Sequence, residues 1–176
     1  MQIVYYAASS LDHYIAREDG TVDWLDPFND TAEETGITEF FESVDGIVMG
    51  SATYDFALNH PPWLAPDTPS WVFTTRSLPL ADPSITLTSQ EPSDFVKERK
   101  AAGHKKLWLM GGGKLATSFR EQGLITHYEI TIVPVILGSG IPLLNDAPGQ
   151  ENLHLLKCNP MPSGLVTLSY ETGHTL

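Results

Sequence analysis

Three consecutive glycines, Gly111, Gly112 and Gly113, separate an apolar run ending at Met110 from a helix-spaced segment that begins at Lys114. A chain that leaves a strand through glycines and enters a helix exposes unpaired amides at the positive end of that helix, where phosphate oxygens are well placed. Glycine also permits close backbone approach, and Lys114 adds a cation. The same triplet suits a tight turn whose glycines serve packing alone, and the sequence leaves both readings open. Gly111 to Ala116 fits the G-x-G-x-x-G/A dinucleotide pattern, with Glu129 near the spacing of a ribose-binding acid. That fingerprint normally follows the first strand of a doubly wound sheet, however, and Glu129 falls within a strand-like run. A Walker loop is ruled out because Leu115 follows Lys114 where Ser or Thr is required.

Other chemistries find little support. There is no G-x-S-x-G elbow, and His13, His60, His104, His127, His154 and His174 show no metal-ligand spacing, so no metal is expected. Cys158 is the single cysteine, which excludes an internal disulfide; its apolar neighbours suggest a buried small hydrophobe rather than a nucleophile. With 22 acidic against 10 basic residues the formal charge is −12, and no Lys/Arg stripe with interleaved aromatics offsets it, so nucleic acid is not an expected partner. The most apolar stretch, Ile130 to Leu137, is interrupted by Pro134 and is far shorter than the roughly 20 residues of a membrane helix. The start MQIVYYAASSL lacks the basic stretch of a secretory leader, and a cytoplasmic location is expected.

The elements that position the triplet can be read from periodicity. The 176 residues, 41% of them hydrophobic, suit one domain over 1–176 with a self-sufficient core. Strands are predicted at Gln2–Ala8, Gly46–Gly50, Trp71–Thr75, Ile85–Thr88, Lys106–Met110 and His127–Ile136. Leu153–Leu156 and Leu165–Tyr170 complete them as an antiparallel pair near the C-terminus. A helix capped by Asn29, Asp30 or Thr31, with Glu33 and Glu34 near its positive end, carries Ile37, Phe40, Phe41 and Val44 on one face; Gly36 weakens it. Further helices are predicted at Ala52–Leu58, Pro92–Ala102 and Lys114–Gln122. The pattern is α/β with a mixed sheet.

Several blocks follow one another in order: Ala7-Ala-Ser-Ser-Leu-Asp-His-Tyr-Ile-Ala16, Asp45-Gly-Ile-Val-Met-Gly-Ser-Ala-Thr-Tyr54, Val72-Phe-Thr-Thr-Arg76, Leu109-Met-Gly-Gly-Gly-Lys-Leu-Ala116, and then Gly123 to Gly138. Together they resemble the dihydrofolate reductase superfamily, more closely the branch of the C-terminal reductase domain of the bifunctional riboflavin-biosynthesis deaminase/reductase. The resemblance implies a three-layer fold, with a mixed, mainly parallel eight-stranded sheet and helices on both faces, and it implies NADPH. Met110, Gly111, Gly112, Gly113, Lys114 and Leu115 would then hold the pyrophosphate, often with a cis peptide between two of the glycines. Gly50, Ser51, Ala52 and Thr53 would face the phosphates from a second helix start. Ala8 and Ile15 would line the nicotinamide site. Thr74, Thr75 and Arg76 would surround the adenosine ribose, Arg76 pairing the 2′-phosphate. The chain departs from the pattern at Ser51, where many relatives carry Arg, and at His13, where Gly is usual.

On the substrate side, the resemblance implies Trp24 and Thr131 as lining residues. A proton-donating acid is implied early in the first helix; alignment from Trp24 and Pro27 points to Asn29 and Asp30, alignment from Met49 and Gly50 points to Glu34, and Asp12 is a third candidate. The implied activity is hydride transfer from NADPH to a pterin- or dihydrofolate-like heterocycle or a riboflavin-precursor-like substrate. The alternative is a nucleotide- or pterin-binding module without turnover. A homodimer is expected from the same branch.

Overall fold

The structure, a computed structural model, describes residues 1–173, without the side chains of Ala32 and Glu33. The expectations for His174 and the Glu33 carboxylate therefore lie outside the described residues. The chain runs through β1 (Gln2–Ser10), β2 (Tyr14–Ala16), a 3-10 segment (Asp23–Thr31), α1 (Ala32–Thr35), α2 (Ile37–Ser43), β3 (Gly46–Gly50) and α3 (Ser51–Leu58). It continues with β4 (Ser70–Phe73), β5 (Ile85–Thr88), α4 (Pro92–Ala101), β6 (Lys106–Gly111), α5 (Gly113–Glu121), β7 (His127–Val133), β8 (Ile141–Pro142), β9 (Leu153–Pro160) and β10 (Val166–Thr172).

Eight strands form one sheet in the order β5-β4-β3-β6-β1-β7-β10-β9, and β2 pairs separately with β8. The six strands from β5 to β7 are mutually parallel. The strands β10 and β9 close one edge as an antiparallel pair. Side-chain alternation along β1 shows how both faces are covered. Ile3 and Tyr5 join Phe95 of α4 and Phe119 of α5 on one face. Tyr6 packs with Phe40 and Phe41 of α2 and Tyr54 of α3 on the other. Full burial of each such aliphatic or aromatic side chain contributes roughly 1.5–3 kcal/mol. Thus α3 leaves β3 for one face while α5 leaves the adjacent β6 for the opposite face, which opens a crevice at the carboxyl ends of these two strands.

Three expectations are corrected. The helix expected to follow a cap at Asn29, Asp30 or Thr31 and to run to Val44 is broken: Gly36 adopts φ 69°, ending α1, and the segment before α1 is a 3-10 helix containing Pro27. A left-handed residue cannot continue a right-handed helix, so the glycine acts as a break rather than a weak point. The strand expected to reach Ile136 stops at Val133, ahead of Pro134, which has no amide to donate to a ladder. Cys158 is exposed rather than buried, because β9 is an edge strand whose residues are open on both faces.

Candidate functional site

The crevice is built from two helix starts. The residue before α3 is Gly50 and the residue before α5 is Gly112; neither helix has a side-chain cap or an acid in its first turn. A Cβ placed on Gly50 would stand 3.7 Å from the Gly112 nitrogen and 3.8 Å from the Leu115 Cβ, so the two starts adjoin. The Ala116 N–H donates to the Gly112 carbonyl at 3.1 Å, and the amides ahead of it in α5 have no intrahelical partner. Two positive helix ends on one spot, with no acid in either first turn, are chemically suited to an anion, within a chain whose net charge is strongly negative.

The glycines divide the two roles that the sequence left open. A side chain on Gly113 would collide with the Pro142 carbonyl oxygen and stand 3.2 Å from that of Leu143, so Gly113 serves packing. A side chain on Gly112 would meet only Thr53 Oγ1 at 3.6 Å and Ile15 Cδ1 at 3.9 Å, ordinary contacts. It would project between two residues that line the larger cavity, so Gly112 leaves room for something other than protein. Gly111 has φ 117°, a conformation favouring glycine, and the Gly111–Gly112 peptide is cis.

The remaining cofactor candidates stand in a row along the carboxyl edge of adjacent parallel strands. Thr74, Thr75 and Arg76 follow β4, Gly50 to Thr53 follow β3, the triplet ends β6, and Ala8 lies on β1. At strand spacings near 4.8 Å this row spans about 14 Å from β4 to β1. Arg76 is already engaged: its Nη1 donates to Asp55 Oδ2 at 2.7 Å and its Nη2 to Oδ1 at 3.3 Å, which raises the guanidinium pKa. Lys114 is exposed on the first turn of α5.

Two cavities open beside the crevice, of about 530 and 320 Å³, sharing Tyr6, Ala8 and Leu25. Ile15, Ala52, Thr53, Met110 and Gly112 line the larger, and Thr131 and Phe28 the smaller. Trp24 lines neither; it packs with Val133, Met161 and Leu165 behind the smaller cavity, and its indole N–H makes no hydrogen bond among the described residues.

The three candidate acids do not converge on either cavity. Asp12 Oδ1 accepts from Ser10 Oγ at 2.6 Å and from the Leu137 amide at 3.1 Å, and Oδ2 accepts from the Gly138 amide at 2.7 Å. The serine hydrogen bond first, and these amides with it, pull the carboxyl down to about 2. Such a group is an ionised staple between two loops. Glu34 is exposed and accepts from Ser163 Oγ at 2.7 Å, and Asp30 is exposed.

Tyr6, which no sequence motif marks, lines both cavities; alternation along β1, which puts it on the same face as Ala8, is the signal that points to it. Its ring is stacked on Phe40 (4.5 Å between centroids) and meets Trp108 edge-on. Burial pushes its phenol pKa up, hydrogen bonds with the Thr131 and Thr35 side chains oppose the rise, and the nearby Glu129 charge adds to it. Glu129, directly opposite Tyr6 in the β1–β7 register, accepts a hydrogen bond from Ser169 Oγ at 2.5 Å. It belongs to this network and not to a ribose site.

A three-layer α/β domain with its crevice at a topological switch point, glycines at both helix starts and a cavity beside the sheet edge defines a dihydrofolate reductase-like architecture. The chain belongs to the RibD C-terminal domain family, whose sequence pattern matches residues 2–167. Among curated proteins it is 33% identical over 153 residues to the uncharacterized protein YwjB of Bacillus subtilis (strain 168), covering 86% of this chain and 87% of that one. The uncharacterized YyaP of the same organism is 28% identical over 183 aligned residues, covering 96% and 94%. A crystal structure from Shewanella sp. PV-4, provisionally assigned to riboflavin biosynthesis, superposes with TM-score 0.89 at 27% identity, covering 99% of this chain and 100% of that one. The Thermotoga maritima diaminohydroxyphosphoribosylaminopyrimidine deaminase/5-amino-6-(5-phosphoribosylamino)uracil reductase shares the fold at TM-score 0.73 and 13% identity, with 98% of this chain covering 56% of that longer one. The family suggests oxidoreductase-like activity.

Proposed function

We propose that this protein is an NADPH-dependent reductase acting on a small heterocyclic substrate. The observation that carries the reading is the adjoining pair of glycine-led helix starts, with an open Cβ position at Gly112, beside cavities that meet at Ala8. The residues fit the cofactor: Gly112, Gly113 and Lys114 with Gly50 to Thr53 would hold its diphosphate, and Thr74 to Arg76 its adenosine half. Ala8 and Ile15 would flank its nicotinamide. When bound, NADPH supplies the hydride and the protein supplies orientation and charge. Ala8 presents only a methyl group towards the smaller cavity, where Thr131 would meet the substrate. Calorimetric titration with NADPH, followed by its oxidation against a panel of ring compounds, tests this; absence of binding at millimolar cofactor refutes it.

The failure of Asp12, Asp30 and Glu34 to reach a cavity supports a second reading, a nucleotide- or pterin-binding module, which predicts NADPH binding with no turnover on any compound. Under either reading a homodimer is supported by β9, an eight-residue edge strand that exposes Leu153, Leu155 and Leu156 and suits antiparallel pairing with a second copy about a two-fold axis. Sedimentation as a monomer at micromolar concentration refutes it.

A further inference from the structure

We propose that the substrate of this site is an uncharged planar ring compound bearing a hydrogen-bond acceptor, held through the Tyr6 hydroxyl, and that phosphorylated and carboxylate-bearing compounds are excluded. The inference rests on the reductase reading above, which places the substrate in the smaller cavity.

Charge makes the argument. None of the ten Lys and Arg side chains lines either cavity. Arg17 is paired with Asp23 and Arg76 with Asp55, Arg120 bonds the Gly149 carbonyl, Arg99 lies over Trp71, and Lys106 lies over Phe40 and bonds Ser43 Oγ. The remaining lysines at 97, 100, 105, 114 and 157 are exposed. A phosphate or carboxylate entering the smaller cavity would lose water without gaining a cation, within reach of the Glu129 charge that acts on Tyr6 and in a chain of net charge −12. Anions are held by Arg or Lys or by free amides at a helix start, and the residues at the Gly50 and Gly112 starts line the larger cavity or adjoin it but do not line the smaller one. The smaller cavity offers neither Arg nor Lys.

What it offers is neutral and aligned. The Tyr6 hydroxyl is close enough to the Thr131 and Thr35 side chains for them to influence it, and Thr131 Oγ1 lies 2.8 Å from Thr167 Oγ1, so neutral hydroxyls run from β1 across β7 to β10. Because burial raises its pKa, the Tyr6 phenol stays protonated and can present its hydrogen to an acceptor. Stacking on Phe40 fixes the ring, while Phe28, Val133 and Leu165 supply apolar walls to a volume of about 320 Å³. Tyr6 lines both cavities, so an acceptor bound to it sits at their junction, next to Ala8. A flat ring with one polar edge matches this set of groups.

Matched pairs test the inference. In each, one ring carries a neutral or a charged substituent: 5-amino-6-ribosylaminouracil without and with its 5′-phosphate, and 6-hydroxymethyl-7,8-dihydropterin against 6-carboxy-7,8-dihydropterin. Calorimetry with and without NADPH should show each neutral member binding at least about tenfold tighter than its charged partner. Tyr6→Phe, which keeps the stacking, should weaken the neutral member by about three- to tenfold. Asn29→Lys, at an exposed position on the cavity wall, should narrow the charge gap. Equal or tighter binding of the charged members by the wild type, or no binding of any member, overturns the substrate class; unchanged binding by Tyr6→Phe overturns the role given to its hydroxyl. Because charge discrimination is read without cofactor as well, failure to bind NADPH overturns the reductase reading separately.

Discussion

Replacing Gly112 and Gly113 by alanine, one at a time, separates a glycine kept for a ligand from a glycine kept for packing. At Gly113 the added methyl meets the Pro142 carbonyl oxygen, a backbone atom of the short strand β8 that cannot rotate away. Overpacking of this kind costs about 1–3 kcal/mol. In a chain of 176 residues each kcal/mol shifts Tm by about 2–4 °C, so Gly113→Ala should lower Tm by about 2–12 °C. At Gly112 the nearest protein atoms to the methyl are 3.6 and 3.9 Å away, and Gly112→Ala should stay within about 2 °C of wild type. The same methyl occupies the surface against which a diphosphate would lie. A hydrogen bond to a charged group contributes about 1.5–3 kcal/mol, so displacing one main-chain donor should weaken NADPH by about 10- to 100-fold. Differential scanning calorimetry and isothermal titration of both variants provide the measurement. A folded Gly112→Ala that binds NADPH within about twofold of wild type refutes the cradle, and an unchanged Tm in Gly113→Ala refutes the packing account.

Other perturbations read other parts of the structure. Arg76→Ala should weaken NADPH by about tenfold and leave NADH nearly unchanged, since only NADPH carries the 2′-phosphate; Asp55→Asn, by releasing the guanidinium, should tighten NADPH selectively, and equal effects on both cofactors in titration refute the assignment. The Asp12 carboxyl is depressed from 3.8 to about 2, so its contribution to stability is complete above about pH 4 and is lost as pH falls through about 2. The Tm gap between wild type and Asp12→Asn should therefore be widest near neutrality and close towards pH 2. Tyr54 is fully buried, and its hydroxyl donates to the Pro79 carbonyl at 2.8 Å and accepts from the Ala81 amide at 3.0 Å. Tyr54→Phe should cost about 1–3 kcal/mol in denaturant unfolding. In the monomer the exposed Cys158 should react at once with a thiol reagent, whereas reaction limited by unfolding contradicts its exposure on β9.

Local pattern determined much of this protein. The β-branched runs at Ile3–Val4 and Ile47–Val48 mark strands, the switch from period two to helical spacing at Lys114 marks the strand–helix junction, and the ordered blocks around Gly50 and Gly111 identify the family. These features depend on neighbours within a few residues. Tertiary structure decided which glycine packs and which stays open, because a Pro142 carbonyl far along the chain stands beside Gly113, whereas a side chain at Gly112 would meet only ordinary contacts with Thr53 and Ile15. It decided that Asp12 reaches across to the amides of Leu137 and Gly138, and that Asp55 engages the guanidinium of Arg76. Tyr6 is an ordinary strand aromatic in the sequence; it becomes a wall of both cavities only when β7 and the helices α1 and α2 come to lie against β1. Charge and burial act through space, and these pairings bring together residues that linear spacing keeps apart.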